Sequence, residues 1–93
     1  MQTQTFDDVF DAIADTPEEA ANLKARADLL AALVEHIQSW AVPQEVAAAR
    51  LHITRPRLND LLRGKVSKFS LDALVNLTSA AGLTLDIRIG KAA

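Results

Sequence analysis

The stretch that decides the fold is PQEVAAARLHITRPRLNDLLRG, residues 43–64. Apolar residues at helical spacing, bounded by helix-starting and helix-ending residues, predict two short helices over 44–51 and 54–64. A tight link through His52 and Ile53 joins them. The residues predicted to face the core here are Val46, Ala47, Leu51, Leu58, Leu61 and Leu62.

Two arginines, Arg55 and Arg57, crowd the start of the second helix. Because a helix N-terminus already carries partial positive charge, basic residues gain nothing from the helix there, and an anionic partner is the natural explanation. Two short helices joined by a tight turn have the spacing of a helix-turn-helix, whose second helix presents its N-terminal residues to the DNA major groove. We therefore predict that Arg55 and Arg57 meet bases and phosphates, with Asn59 one turn further on.

The remaining basic residues of this region flank the end of the second helix. They are Arg63, Lys65 and Lys68, and we expect them to hold the DNA backbone. Substitution of Arg57 should then relax base preference, whereas Lys65→Ala should weaken binding to all sequences alike. The alternative to DNA binding is purely structural: two amphipathic helices occur in any helical bundle, and a run of arginines can simply form a solvated face.

Charge is divided unevenly along a chain of 93 residues whose net charge is only −2. Residues 1–22 contain six acidic and no basic residues, whereas residues 50–68 have a net charge of +5. Such a division indicates two surfaces for two different partners. The acidic residues considered for a protein partner are Asp7, Asp8, Asp11, Glu18 and Glu19. The alternative is that these acids solubilise a frayed terminus and favour helix starts.

Composition sets the class of protein. The length fits one domain, and 49% apolar residues are enough for a modest core. The chain has no cysteine, which removes disulfides, thiolate nucleophiles and cysteine-ligated zinc. Neither an apolar run of membrane-spanning length nor a basic, signal-like start is present, so we expect a soluble protein of the cytoplasm, associated with the nucleoid when bound to DNA.

Three further helices are predicted around this motif. Thr16 is the expected N-cap of a long helix ending near Trp40, with Glu19 completing a capping box, and Ser70 caps a last helix that Gly82 ends. The inward rows of these two helices are Leu23, Ala27, Leu29, Leu30, Leu33, Val34, Ile37 and Trp40, then Leu71, Leu74, Val75, Thr78 and Ala81. A short helix capped by Thr5 is the remaining one. We divide the chain into an acidic N-terminal arm or short helix (1–15), a DNA-binding domain (16–82), and a dimerisation strand and tail (83–93).

The last stretch alternates strictly between apolar and polar residues, the pattern of a half-buried strand. A lone strand leaves its backbone groups unpaired, so we expect it to pair with its own copy in a twofold dimer. With Ile87 opposite its copy, Asp86 would face Arg88 of the second chain twice. The predicted dimerisation residues are Leu83, Leu85, Asp86, Ile87, Arg88 and Ile89.

Residues 43–64 resemble the lambda-repressor-like, XRE-type helix-turn-helix family. The matching positions are Gln44, Glu45, Val46, Ala47, Leu51, Ile53, Thr54, Arg57, Leu58, Asp60, Leu61, Leu62, Arg63 and Gly64. At His52 the family has glycine, which implies a left-handed backbone that histidine tolerates better than branched residues do. Departures are Pro43, His52, Arg55 and Asn59, where the family has threonine, glycine, glutamine and serine. The last two lie where bases are read, so no operator carries over. The resemblance implies an all-α bundle of about five helices, a phosphate contact from Gln44, and a DNA-facing role for Thr54.

The wider chain, roughly Phe6 to Ile89, resembles the HigA-type antitoxin branch of that family. The residues that carry the likeness are PEEAANLKARADLLAAL, DLLRGKVSKFSLDALVNL and the closing strand. The resemblance implies a homodimer that represses its own operon on a pseudo-palindromic site and neutralises a small basic ribonuclease toxin. A regulator without a toxin partner is the runner-up.

An enzyme is the class to exclude, since His36 and His52 lie far apart and no phosphate loop, metal-spacing cluster or nucleophile motif is present. We expect no cofactor and no metal. Ser67, Ser70 and Lys68 could be imagined as catalytic, but capping explains Ser70 better. A third class is a protein-interaction adaptor that has lost DNA binding, which low net basicity would permit.

Overall fold

The computed structural model describes residues 15–92. These form four α-helices and one turn of 3-10 helix: α1 (Pro17–Ser39), α2 (Gln44–Leu51), α3 (Arg55–Leu62), the 3-10 turn (Val66–Lys68) and α4 (Leu71–Ala80). The predicted short helix before residue 15 lies outside the described residues. The structure is therefore all-helical over its described part, as expected of a helix-turn-helix bundle.

Side-chain caps define where three of the helices begin, as predicted. The hydroxyls of Thr16, Thr54 and Ser70 accept hydrogen bonds from the backbone three residues on, at 3.1, 3.2 and 3.1 Å. The carboxylate of Glu19 accepts from the N–H of Asp15 at 3.0 Å, one residue earlier than a standard capping box requires. Helix starts are thus encoded locally.

The core lies where the long α1 packs against α4, α3 and the 3-10 turn, while α2 packs against α3 and α4. Its fully buried members are Phe69, Leu33, Leu58, Leu61 and Leu74. Each such side chain contributes about 1.5–3 kcal/mol through removal of apolar surface from water. Phe69 is a core residue, whereas Trp40, which was predicted to face inward, is only half-buried at the edge of the core.

Three predicted core residues are wrong. Val46, Leu71 and Val75 are exposed, at 40%, 37% and 37%. In α4 the inward face is turned, so that Leu77 is buried with Leu74 and Thr78. Leu71 and Val75 instead border an open apolar cavity of about 400 Å³ with Leu29, Leu85 and Ile87. Hydrophobic spacing located the helices correctly, and the predicted Leu74, Thr78 and Ala81 are buried, but the predicted face of α4 extended too far to one side.

The C-terminal segment, residues 83–92, has no regular secondary structure in the described single chain. Leu83 and Leu85 are half-buried against the bundle, while Ile87 and Ile89 are 76% and 94% exposed. Within residues 15–92 the predicted strand is not present, because this part of the chain offers no second strand to complete a hydrogen-bonded ladder.

Candidate nucleic-acid interface

The turn between α2 and α3 is built as the sequence predicts. His52 lies in the left-handed region, with φ 59° and ψ 39°, and its N–H donates to the carbonyl of Ala49 at 3.2 Å. The next N–H, that of Ile53, donates to Ala48 at 3.1 Å. These bonds close α2, so α3 begins only four residues after α2 ends.

The outer face of α3 presents Arg55 and Asn59, which are both exposed and stand one turn apart. The opposite face holds Leu58 and Leu61, both fully buried. Gln44, the first residue of α2, is exposed, as are Thr54 and Arg63 at the two ends of α3. Burial of the apolar face therefore fixes which polar side chains of α3 face outward.

Arg57 differs from Arg55 because the protein itself engages its guanidinium group. Its Nη1 donates to the backbone carbonyl of Lys68 at 2.7 Å, and its Cζ lies 3.9 Å from the centre of the Phe69 ring. A hydrogen bond of this kind combined with a cation–π contact holds the side chain against the loop after α3. In this structure the Arg57 guanidinium group therefore lies against the loop after α3 and does not extend outward like that of Arg55.

Lys65 and Lys68 lie beside α3, where both contact Asp60. Their Nζ atoms are 3.4 and 3.6 Å from the two carboxylate oxygens. Burial of the Asp60 carboxyl raises its pKa, but the hydrogen bond from Lys65 and the charges of both lysines outweigh burial, so the pKa lies below its ordinary value of 3.8. Both lysine side chains remain accessible, at 40% and 54% exposure.

Sequence reasoning missed Arg26, on α1. Its Nη1 lies 3.1 Å from the carbonyl oxygen of Phe69 and 3.4 Å from that of Val66. No sequence pattern marks this role, because the acceptors are backbone atoms about forty residues away. Arg50, counted only in the charge of its region, lies with its Cζ 5.0 Å from the Trp40 ring centre.

The other predicted sites lie elsewhere. Glu18 and Glu19 are exposed in the first turn of α1, and Asp7, Asp8 and Asp11 lie outside the described residues. Leu83 and Leu85 contact the bundle, whereas Asp86, Ile87, Arg88 and Ile89 are exposed. His36 lies at the boundary of the core, with Nε2 3.3 Å from the carbonyl oxygen of Ala81.

Features of two other classes of protein are absent from the described part of the chain. Within residues 15–92, no three or more His, Cys, Asp or Glu side chains gather in a way that could hold a metal ion. None of the helices described above combines the length and apolar character needed to cross a membrane.

Comparison with known families identifies the family to which the chain belongs. It belongs to the helix-turn-helix family, because the family model described as "Helix-turn-helix domain" matches residues 12–90. The match covers the bundle, the two-helix motif and the C-terminal segment. No curated protein matches the sequence. A DNA-binding regulator is therefore the functional class that fold and family define, and such domains are typically not enzymes.

Proposed function

We propose that this protein is a sequence-specific transcriptional repressor whose α3 enters the DNA major groove. The observation that carries the proposal is the division of α3 into a buried face, Leu58 and Leu61, and an exposed face, Arg55 and Asn59, within a helix-turn-helix chain. Arginine can bind guanine, and asparagine adenine, each with two hydrogen bonds worth about 1–3 kcal/mol of discrimination. Arg55 and Asn59 are thus the proposed base readers.

Contacts to the DNA backbone are assigned to residues around this reading face. The N-termini of α2 and α3 offer backbone N–H groups to phosphates, beside Gln44 and Thr54. Arg63, Lys65 and Lys68 supply charge at the other end of α3. Exposed lysine–carboxylate pairs are worth little in water, so exchange of Asp60 for a phosphate costs the lysines little.

The repressor is proposed to act as a homodimer paired through residues 83–89, with residues 90–93 as a tail. Support comes from Ile87 and Ile89, whose high exposure leaves apolar surface that a second copy would cover. Two copies of α3 related by a twofold axis would read half-sites about 10 base pairs apart in a pseudo-palindrome.

Selection of binding sites from random duplexes, followed by anisotropy titration of the selected site, tests this proposal. We expect saturable binding to a pseudo-palindromic site, with affinity falling steeply as salt is added. A single asymmetric footprint would contradict the dimeric arrangement. Failure to bind any duplex saturably at low salt would instead favour a protein-interaction adaptor.

A second candidate function is that of an antitoxin, favoured by the net charge of −6 over residues 1–22. A small basic ribonuclease would be attracted to such a surface. Glu18 is exposed and could contact such a ribonuclease, whereas the carboxylate of Glu19, which is also exposed, accepts a hydrogen bond at the start of α1. Co-purification with the product of the adjacent gene, followed by a gel shift on their shared promoter, tests this role. A regulator that acts without a toxin would purify alone and still shift the promoter.

A further inference from the structure

The loop from Gly64 to Ser70 carries Lys65 and Lys68, yet much of what fixes its shape comes from other elements. The carbonyl of Phe69 accepts from Arg26 at 3.1 Å, and that of Lys68 accepts from Arg57 at 2.7 Å. Within the loop, the N–H groups of Lys68 and Phe69 donate to carbonyls three residues earlier. Two guanidinium groups, one from α1 and one from α3, therefore hold the loop by its backbone. We name Arg26 and Arg57 the arginine clamp.

Both members of the arginine clamp are themselves held in place. Arg57 lies over the ring of Phe69, a residue with no exposed surface. Arg26 donates from Nε to the amide oxygen of Asn22 at 2.8 Å, one turn earlier on α1. Because each guanidinium group has a second anchor, it loses little further freedom when it binds the loop.

We propose that Arg26 is a positioning residue for DNA binding, which acts with Arg57 by holding the loop so that Lys65 and Lys68 stay beside α3. This inference rests on the proposed function, in which those lysines contact phosphates. Within residues 15–92, the side-chain hydrogen bonds of Arg26 go to the loop and to α1, and the residue lies half-buried. Its effect on DNA binding is thus transmitted through the backbone carbonyls of Val66 and Phe69.

Arginine is suited to this task in a way that lysine is not. The planar guanidinium presents five donors in a fixed fork, so one Arg26 side chain reaches Asn22 through Nε and the loop through Nη1. An ammonium group of similar reach is a single point of charge. Arg26→Lys should therefore keep the charge and restore only part of the positioning.

The test compares two substitutions on α1 that each remove one positive charge, Arg26→Met and Lys24→Met. Lys24 is exposed and, among the described residues, pairs with Asp28 on its own helix at 3.2 Å, so it serves as the matched control. For Arg26→Met we expect affinity for both selected and random duplexes to fall about tenfold. The slope of log affinity against log salt is negative, and its magnitude should decrease by about 1.8, because two phosphate contacts are lost. Lys24→Met should leave both quantities nearly unchanged, within about twofold in affinity.

Amide hydrogen exchange of the protein without DNA provides a readout that does not depend on the proposed function. We expect faster exchange at Lys68 and Phe69 in Arg26→Met, at a temperature where thermal melting shows the variant to be folded. Arg26→Lys should lie between the variant and the unsubstituted protein in both exchange and affinity.

Three outcomes separate the two proposals. Unchanged exchange and a salt slope equal to that of Lys24→Met would overturn the role of Arg26 alone. Faster exchange with unaltered duplex binding would show that the loop is held but that DNA does not use it, which also overturns the inference. No duplex binding by the unsubstituted chain would refute the proposed function itself, whatever the exchange data show.

Discussion

The helix-turn-helix, residues 43–64, and the C-terminal segment, residues 83–92, are both rich in apolar residues but differ in how far these residues are buried. In the first, Leu51, Leu58 and Leu61 are at most 2% exposed. In the second, Ile87 and Ile89 are 76% and 94% exposed. The two-helix motif therefore buries its apolar residues within one chain. The C-terminal segment leaves apolar surface exposed, which a second chain could cover.

The largest expected effect falls on the helix-turn-helix side of this comparison. Leu58→Ala should lower the free energy of unfolding by about 2–5 kcal/mol, because Leu58 is fully buried and a cavity would replace its side chain. Urea denaturation measures the change. Val46→Ala, at an exposed position of α2, should change stability by less than about 0.5 kcal/mol. Equal effects of the two substitutions would mean that the motif is not packed as described.

The C-terminal segment should respond in assembly rather than in stability. Ile87→Pro removes a backbone donor and fixes φ, so the dimer should dissociate at least about tenfold more readily, which corresponds to about 1.4 kcal/mol. Sedimentation equilibrium measures this constant. Lys91→Pro, near the end of the segment, is the control and should have little effect. A dimer of intact affinity after Ile87→Pro would contradict pairing through this segment.

A smaller effect is expected where α3 begins. Thr54→Ala removes the hydroxyl that accepts from the N–H of Arg57 at 3.2 Å, and should cost about 1 kcal/mol of stability. Thr84→Ala, an exposed threonine of the C-terminal segment, should be close to neutral. Chemical denaturation of both variants sharpens the contrast between a motif with internal caps and a segment without them.

The smallest effect concerns pH. The lysines hold the pKa of Asp60 below its ordinary value of 3.8, so the ion pairs stabilise the fold above that value and are lost as the pH falls through the lowered pKa. Asp60→Asn should therefore be slightly less stable than the unsubstituted protein at neutral pH, with the difference shrinking below about pH 4. Thermal melting at several pH values measures it. A difference that grows on acidification would have the wrong sign.

Sequence reasoning succeeded where the determinants are local. Caps at Thr16, Thr54 and Ser70 each follow from a few neighbouring residues, and the left-handed His52 follows from the glycine that the resembled family has at that position. The exposure of Val46, Leu71 and Val75 was missed because spacing gives the width of an apolar face but not the helix that covers it. The arginine clamp was missed for a different reason: a long side chain that binds distant backbone carbonyls leaves no periodic signal.

The C-terminal segment marks another boundary of such reasoning. Its alternation indicates an extended pairing element, and half-burial of Leu83 and Leu85 agrees with one apolar side. A ladder, however, is a property of two strands, and residues 15–92 contain one such segment.

The central claim is that the exposed face of α3 reads bases, and Arg55→Ala tests it most directly. Fluorescence anisotropy would compare affinities for the selected site and for a random duplex of equal length at one salt concentration. The ratio of the two affinities should fall about tenfold, with random-duplex binding only slightly weaker. An equal loss on both duplexes would contradict base reading by Arg55 and reduce its role to that of a phosphate contact.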